Sequence, residues 1–196
     1  MVNILTICTG NICRSPFAER YLQRGFDDIA PGSFTVTSAG TGALVGRAMD
    51  ERSAQRLAAA GGDPEGFVSR QLTEALLGEA DFVLALTAAH RARAVELSPR
   101  MLKRAFTVRE FSRVLAAVAA DDGGGRLPRG GDKVEERWKA LPNLAALKRH
   151  GVRPADPGED DVVDPFTRED TVYDRMVVEL LPALRGILEF EAASRS

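Results

Sequence analysis

Cys8, Cys13 and Arg14 fall in one short stretch, C-T-G-N-I-C-R-S over residues 8 to 15, with Pro16 directly after. The stretch holds both cysteines of the chain, which leaves a redox pair, half a metal site or a nucleophile with a neighbour as its possible chemistries. Ser15-Pro16 reads as a helix N-cap followed by proline at the first helical position. Gly10 permits a positive φ before it and Asn11 tolerates one. A turn of this kind aims its backbone N–H groups at one point, and with a helix N-terminus behind it becomes an anion-binding nest whose shape suits a phosphate. N–H donors, the helix end and the guanidinium all favour the thiolate of Cys8. At the bottom of the nest that thiolate is placed for in-line attack on phosphorus. Arg14 can offer two parallel N–H donors to equatorial phosphate oxygens, which lysine cannot match. The Ser15 hydroxyl can stabilise the thiolate as it leaves in a second step.

The elements that must position these residues alternate. Val2 to Ile7 is a β-branched apolar run, and residues 16 to 25 have helical spacing with Phe17, Tyr21 and Leu22 on one side and Gly25 as a stop. Further strands are predicted at 34–37, 81–86 and 105–108, and helices at 50–60, 73–77, 90–97 and 109–119. Strands alternating with helices at this spacing imply a parallel sheet covered on both faces. In such sheets ligands bind outside the carboxyl ends of the strands, where Cys8 falls.

The alternation breaks at Asp121. D-D-G-G-G-R-L-P-R-G-G-D and R-P-A-D-P-G-E-D-D are loops by composition. Between them Val134, Trp138, Leu141 and Leu144 recur at helical spacing, with Pro142 splitting or kinking that helix. We read the chain as one domain over 1–196 with an insertion at about 121–160 anchored by Trp138, and hypothesise that the insertion is a lid or partner-docking element. A last helix is predicted from Glu169 to Glu191, bent or interrupted at Pro182. His90 and His150 are expected on solvated helical faces.

Composition narrows the class. The chain has 196 residues and a formal charge of −2 with both signs interspersed, which gives no support for nucleic acid or a membrane surface as partner. Two widely separated histidines leave no conventional zinc ligand set, so neither metal nor cofactor is expected. No apolar run reaches membrane-spanning length and the N-terminus is not a signal peptide. The expectation is a cytoplasmic protein.

The stretch C-T-G-N-I-C-R-S-P-F-A-E resembles the signature of the low-molecular-weight protein tyrosine phosphatases. The likeness continues in S-A-G-T-G at 38–42, V-S-R-Q-L at 68–72 and D-P-F at 164–166. It covers most of the chain except the insertion. A bare C-x5-R would be weak; the preceding strand, the G-N, the R-S-P, the N-terminal placement and the distant D-P together are specific. The resemblance implies an α/β fold, a doubly wound four-stranded parallel sheet with helices on both faces. It implies hydrolysis of phosphotyrosine in a protein substrate through a cysteinyl-phosphate, with Cys8 and Arg14 catalytic and Asp164 as general acid. Thr9, Gly10, Asn11, Ile12, Cys13 and Ser15 would then bind the phosphate, with Leu44 and Phe166 as walls beside it. Asn11 and Ser38 match positions that brace the loop; Phe67 stands where many relatives carry a histidine in that brace. Cys13 matches a cysteine that forms a reversible disulfide with the nucleophile, and packing alone accounts for it equally well.

The same family includes protein-arginine phosphatases and arsenate reductases. With no cysteine after Cys13, a reductase with an internal thiol relay is excluded and one using an external thiol is disfavoured. Arginine phosphatases tend to carry threonine where Ile12 stands, and a branched apolar residue packs against a phenyl ring, which tilts the reading toward phosphotyrosine. Against that tilt, A-L-V-G offers only Leu44 where tyrosine-directed relatives often have an aromatic wall. A phosphate-binding module without catalysis and a thiol-redox sensor remain as readings outside the enzyme class.

Overall fold

The structure, a computed structural model, describes residues 1–121 and 127–195. Residues 122–126 of the first loop read from composition lie outside the described residues. Four parallel strands form one sheet in the order β2-β1-β3-β4, with β1 Val2–Cys8, β2 Phe34–Gly40, β3 Phe82–Ala85 and β4 Ala105–Thr107. The helices are α1 Arg14–Ile29, α2 Glu51–Ala59, α3 Glu74–Glu79, α4 Ala88–Leu97, α5 Val108–Ala120, α6 Val134–Lys148 and α7 Asp170–Ser194. Among the described residues no helix is long and apolar enough to cross a membrane.

The period-two alternation of the strands sorts the core into two layers. Val2 and Ile4 of β1, Phe34 and Val36 of β2, and Phe82 and Leu84 of β3 pack under α1, α5, α6 and α7. Leu5 and Ile7, with Val83 and Ala85, face the opposite way under α3 and α4. Burial on both faces is why the strands read as nearly continuous apolar runs. Local signals set most helix starts: Asp50, Thr73, Thr87 and Thr107 each accept from a backbone N–H of the first turn, and Thr107 with Glu110 completes a capping box.

Four expectations need correction. Ser15 is not the N-cap of α1: the helix begins at Arg14 after Cys13, with no side-chain cap hydrogen bond, so Ser15 and Pro16 lie within its first turn. Gly25 does not stop α1, which runs to Ile29; it is a close-approach position, where any Cβ would collide with Leu188 of α7. Pro182 does not interrupt α7. The carbonyl it leaves unbonded belongs to Val178, four positions back, and Val178 is exposed to water. Pro142 likewise sits inside an unbroken α6, because Trp138, Leu141 and Ala145 of that helix are all fully buried and hold it against the core.

Trp138 meets the rings of Phe34, Phe82 and Phe26 edge-on at 5.0, 5.5 and 5.8 Å. These rings lie at the amino ends of β2 and β3 and the end of α1, so α6 seals the end of the sheet opposite Cys8. The Trp138 indole donates to Glu191 at 2.8 Å, and Glu191 pairs with Arg137 at 2.6 Å.

Candidate active site

Cys8 ends β1, and the chain then turns before entering α1 at Arg14. The outer side of this turn is tied down by its carbonyls. Those of Cys8, Thr9, Gly10 and Ile12 accept from the N–H groups of Thr41, Gly42, Leu44 and Asp50 at 2.9, 3.1, 3.0 and 2.8 Å. A trans peptide points its N–H opposite its carbonyl, so the N–H groups that follow these carbonyls face the inside of the turn. Asn11 takes φ 55°, the left-handed conformation that its short polar side chain tolerates. Gly40 lets β2 come this close, since a Cβ there would meet the Thr9 carbonyl.

The side chains under the turn form a directed chain of hydrogen bonds. The Arg70 N–H donates to Asn11 Oδ1 at 2.8 Å, and Asn11 Nδ2 donates to the hydroxyls of Ser15 and Ser38 at 2.9 and 2.8 Å. The Asn11 amide can only donate through its nitrogen, so Ser15 accepts there and keeps its own proton for Cys8 Sγ, 3.0 Å away. The Ser38 hydroxyl donates to Glu19 at 2.5 Å, a carboxyl whose pKa burial pushes up. Arg70 Nε closes the brace on the Ser38 carbonyl at 2.8 Å. Phe67 itself is buried and lies beneath the Arg20 guanidinium. The brace closes instead through Arg70 and Glu19, neither of which the sequence reading singled out.

Arg14 is 4% exposed. Its NH1 donates to the Val162 carbonyl at 3.2 Å and its NH2 pairs with Asp164 Oδ2 at 2.5 Å. Its Nε is buried without a hydrogen-bond partner among the described residues, a costly state for a charged donor unless an anion satisfies it. Asp164 is half exposed, and its other oxygen accepts from the Phe166 N–H at 3.2 Å. The Asp164 segment is brought here by Val162, which donates to the Leu86 carbonyl past the end of β3 at 2.8 Å.

The side chains enclose a cleft of about 150 Å³ lined by Cys8, Ile12, Cys13, Arg14 and Asp164, with Leu44 and Phe166 at its rim and Thr9, Gly10 and Gly42 completing it. Every candidate residue from the sequence therefore meets here, Asn11 and Ser15 from beneath. No residue of 121–160 lines the cleft among the described residues, which gives the lid hypothesis no geometric support. Both cysteines are free thiols. Burial pushes the Cys13 thiol up to about 12, with smaller effects from Ser53 and the charge of Asp50. It packs with Ile12 and Tyr173.

The residues 3–153 match the model of the family described as low molecular weight phosphotyrosine protein phosphatase. The chain belongs to that family. The protein-tyrosine-phosphatase Wzb of Escherichia coli K12 is 40% identical over 99 residues, a match spanning 50% of this chain and 64% of Wzb, under two thirds of that relative's length. Among solved structures, the low molecular weight protein tyrosine phosphatase of T. tengcongensis superposes with TM-score 0.68 at 23% identity, covering 96% of this chain and 99% of that one. The YwlE arginine phosphatase of Geobacillus stearothermophilus gives TM-score 0.65 at 26% identity, covering 96% and 92%. These likenesses agree with the four-stranded parallel sheet observed here. The family match ends before Asp164 and Phe166, so their place in the site rests on the contacts with Arg14 and the cleft.

One functional neighbour was misplaced by the sequence reading. His90 is not on a solvated face: it is 7% exposed, with Nε2 2.9 Å from the Thr9 hydroxyl and Nδ1 2.8 Å from that of Thr87. Burial, and secondarily the charge of Arg14, lowers its pKa to about 4. An available signal was Thr87, which as N-cap of α4 sets His90 three residues into the helix, on the side facing the end of β1.

Proposed function

We propose that this single domain hydrolyses phosphotyrosine in proteins, as a phosphoric monoester hydrolase acting without metal or cofactor in the reducing cytoplasm. The observation that carries the reading is the buried Arg14 Nε, unpartnered among the described residues, in the cleft that Cys8 also lines at the turn after β1. A phosphate dianion supplies what that donor lacks. Cys8 acts as nucleophile: its sulfur bonds to phosphorus as the bond to the phenolic oxygen breaks, and Asp164 gives that oxygen a proton. Asp164 then takes a proton from water, the water oxygen bonds to phosphorus, and the thiolate leaves toward the Ser15 hydroxyl. Arg14 neutralises the equatorial oxygens in both steps. The Arg14–Asp164 ion pair must open first, and the incoming phosphate replaces the carboxylate on the guanidinium.

Ile12 and the rim residues Leu44 and Phe166 support an aryl ester, because an apolar slot beside the phosphate pays little to desolvate a ring. A second reading, phosphoarginine, is favoured by the likeness to the YwlE arginine phosphatase and by the non-aromatic wall at Leu44. Hydrolysis of phosphotyrosine and phosphoarginine peptides side by side, without metal and with Cys8→Ser as blank, decides between them. Turnover of neither, with phosphate still bound, would leave a binding module and end the hydrolase reading. The free cysteines suit a reducing compartment, where a nucleophilic thiol stays available.

A further inference from the structure

We infer that His90 is a positioning residue of the phosphate site: its Nε2–H holds the Thr9 hydroxyl as an acceptor, so that the Thr9 proton is directed to the bound phosphate. The inference rests on the hydrolase reading for its kinetic consequences, though the geometry stands without it. Thr87 Oγ1 already accepts the His90 backbone N–H at 3.2 Å as the cap of α4. With that hydrogen bond in place, the Thr87 hydroxyl proton is directed to His90 Nδ1 at 2.8 Å, its partner among the described residues. An imidazole that accepts at Nδ1 carries its proton on Nε2 when neutral. The Nε2–H then points at Thr9 Oγ1, 2.9 Å away.

The reverse tautomer is poorer. Nδ1–H would donate to a Thr87 oxygen that is already accepting, Thr9 would donate to Nε2, and the Thr87 proton would be left without a partner in a half-buried position. In the assigned arrangement the unpaired proton sits instead on Thr9, which is exposed and lines the cleft next to Cys8. The chain of bonds runs Thr87 to His90 to Thr9, and it joins the loop after β3 to the loop after β1. These are the two strand ends between which the strand order reverses in this sheet. Burial and the nearby Arg14 charge keep the imidazole neutral near pH 7, as acceptance at Nδ1 requires. A protonated ring would donate at both nitrogens and break the Thr87 bond.

The arrangement makes His90 act through Thr9, with its own ring outside the group of residues that line the cleft. Its loss should therefore weaken anion binding, raising KM and the inhibition constant of inorganic phosphate more than it lowers kcat. A hydrogen bond to a charged phosphate contributes roughly 1.5 kcal/mol, or about tenfold. The amide nitrogen of glutamine can stand where Nε2 stands, so His90→Gln should restore most of what His90→Leu removes.

The test pairs an activity-independent readout with kinetics. Nitrogen-15 NMR of the imidazole at pH 7 should show the Nε2–H tautomer; an Nδ1–H tautomer or a charged ring would overturn the inference. Equilibrium binding of inorganic phosphate should weaken about tenfold in His90→Leu, recover in His90→Gln, and weaken no further when Thr9→Val is added to His90→Leu. Unchanged phosphate affinity in folded His90→Leu, or full additivity with Thr9→Val, would sink it. A wild type that binds phosphate but turns over no phosphoester defeats the hydrolase reading alone, and the binding and NMR results then still decide the role of His90.

Discussion

Asn11, Arg14, Ser15, Ser38 and His90 are among the polar groups buried at the carboxyl end of the sheet; Arg137 and Glu191 are buried at the amino end, enclosed by Trp138 and its ring of phenylalanines. Both sets are withdrawn from water, yet they are satisfied differently. At the amino end the bonding is complete within the chain: Glu191 takes the Arg137 fork and the Trp138 indole, and Arg137 NH1 reaches the Pro128 carbonyl at 2.8 Å. At the carboxyl end a charged donor, Arg14 Nε, is left over among the described residues. A closed network specifies a fold, whereas an open one keeps a place for a ligand, and that difference separates the stabilising half of this molecule from the chemical half.

The comparison breaks if mutations at the two ends have the same consequences. The largest expected effect is that of Cys8→Ser, which should reduce aryl phosphate turnover by at least about ten-thousandfold and leave the denaturation midpoint nearly unchanged. Measured turnover in a steady-state assay above that floor would remove Cys8 from the nucleophile role. At the other end, Trp138→Ala should cost about 3–5 kcal/mol in urea unfolding with kcat per folded molecule retained. Glu191→Leu, which strands the Arg137 charge, should cost a similar amount. Loss of catalysis without loss of stability in either variant would make the insertion part of the active end.

Asp164→Asn should lower kcat about a hundredfold for poor leaving groups and far less for nitrophenyl esters, whose oxygen leaves without a proton. Equal effects on both esters would point to another acid. Because Asp164 also holds Arg14 in the free site, the same variant should bind inorganic phosphate at least as tightly as the wild type.

A smaller effect concerns pH. His90 titrates near 4 in the folded protein, below its ordinary value near 6.5. The stability it confers is complete above 6.5 and is lost as pH falls through 4, because the unfolded chain takes up the proton first. Thermal midpoints of the wild type should therefore approach those of His90→Gln across this window, by on the order of 5 °C. A constant gap between the two would show that the imidazole is not buried neutral. Smallest of all, Cys13 should resist iodoacetate at pH 7 while Cys8 alkylates, since its thiol ionises only near pH 12; peptide mapping of the labelled protein reads this directly.

Much of the chemical end was legible because its signals are local. The turn between β1 and α1 is written in neighbouring residues: a strand, a residue that accepts positive φ, a proline near the helix start. Asp164 was legible only through its following proline and phenylalanine, with Glu159, Asp160 and Asp161 as nearby competitors. The structure separates them: Asp161 accepts from the Ala88 N–H, Asp160 pairs with Arg113, and Asp164 alone of these acids reaches Arg14. Gly25 and Pro182 misled because composition reports what a residue does to an isolated helix, whereas Leu188 against α1 and water at Val178 decided what each does here.

The order of strands and helices, the helix opening at Thr73, and the grouping of Cys8 with Arg14 follow from the sequence alone, since each depends on residues within a turn or two. The partners of the buried polar groups do not. Thr9 meets His90 across 81 positions, Asn11 meets Arg70 across 59, and Trp138 meets Glu191 across 53. Only the folded sheet brings those pairs together, because a hydrogen bond between distant residues requires the register of strands and the packing of helices that no local pattern encodes.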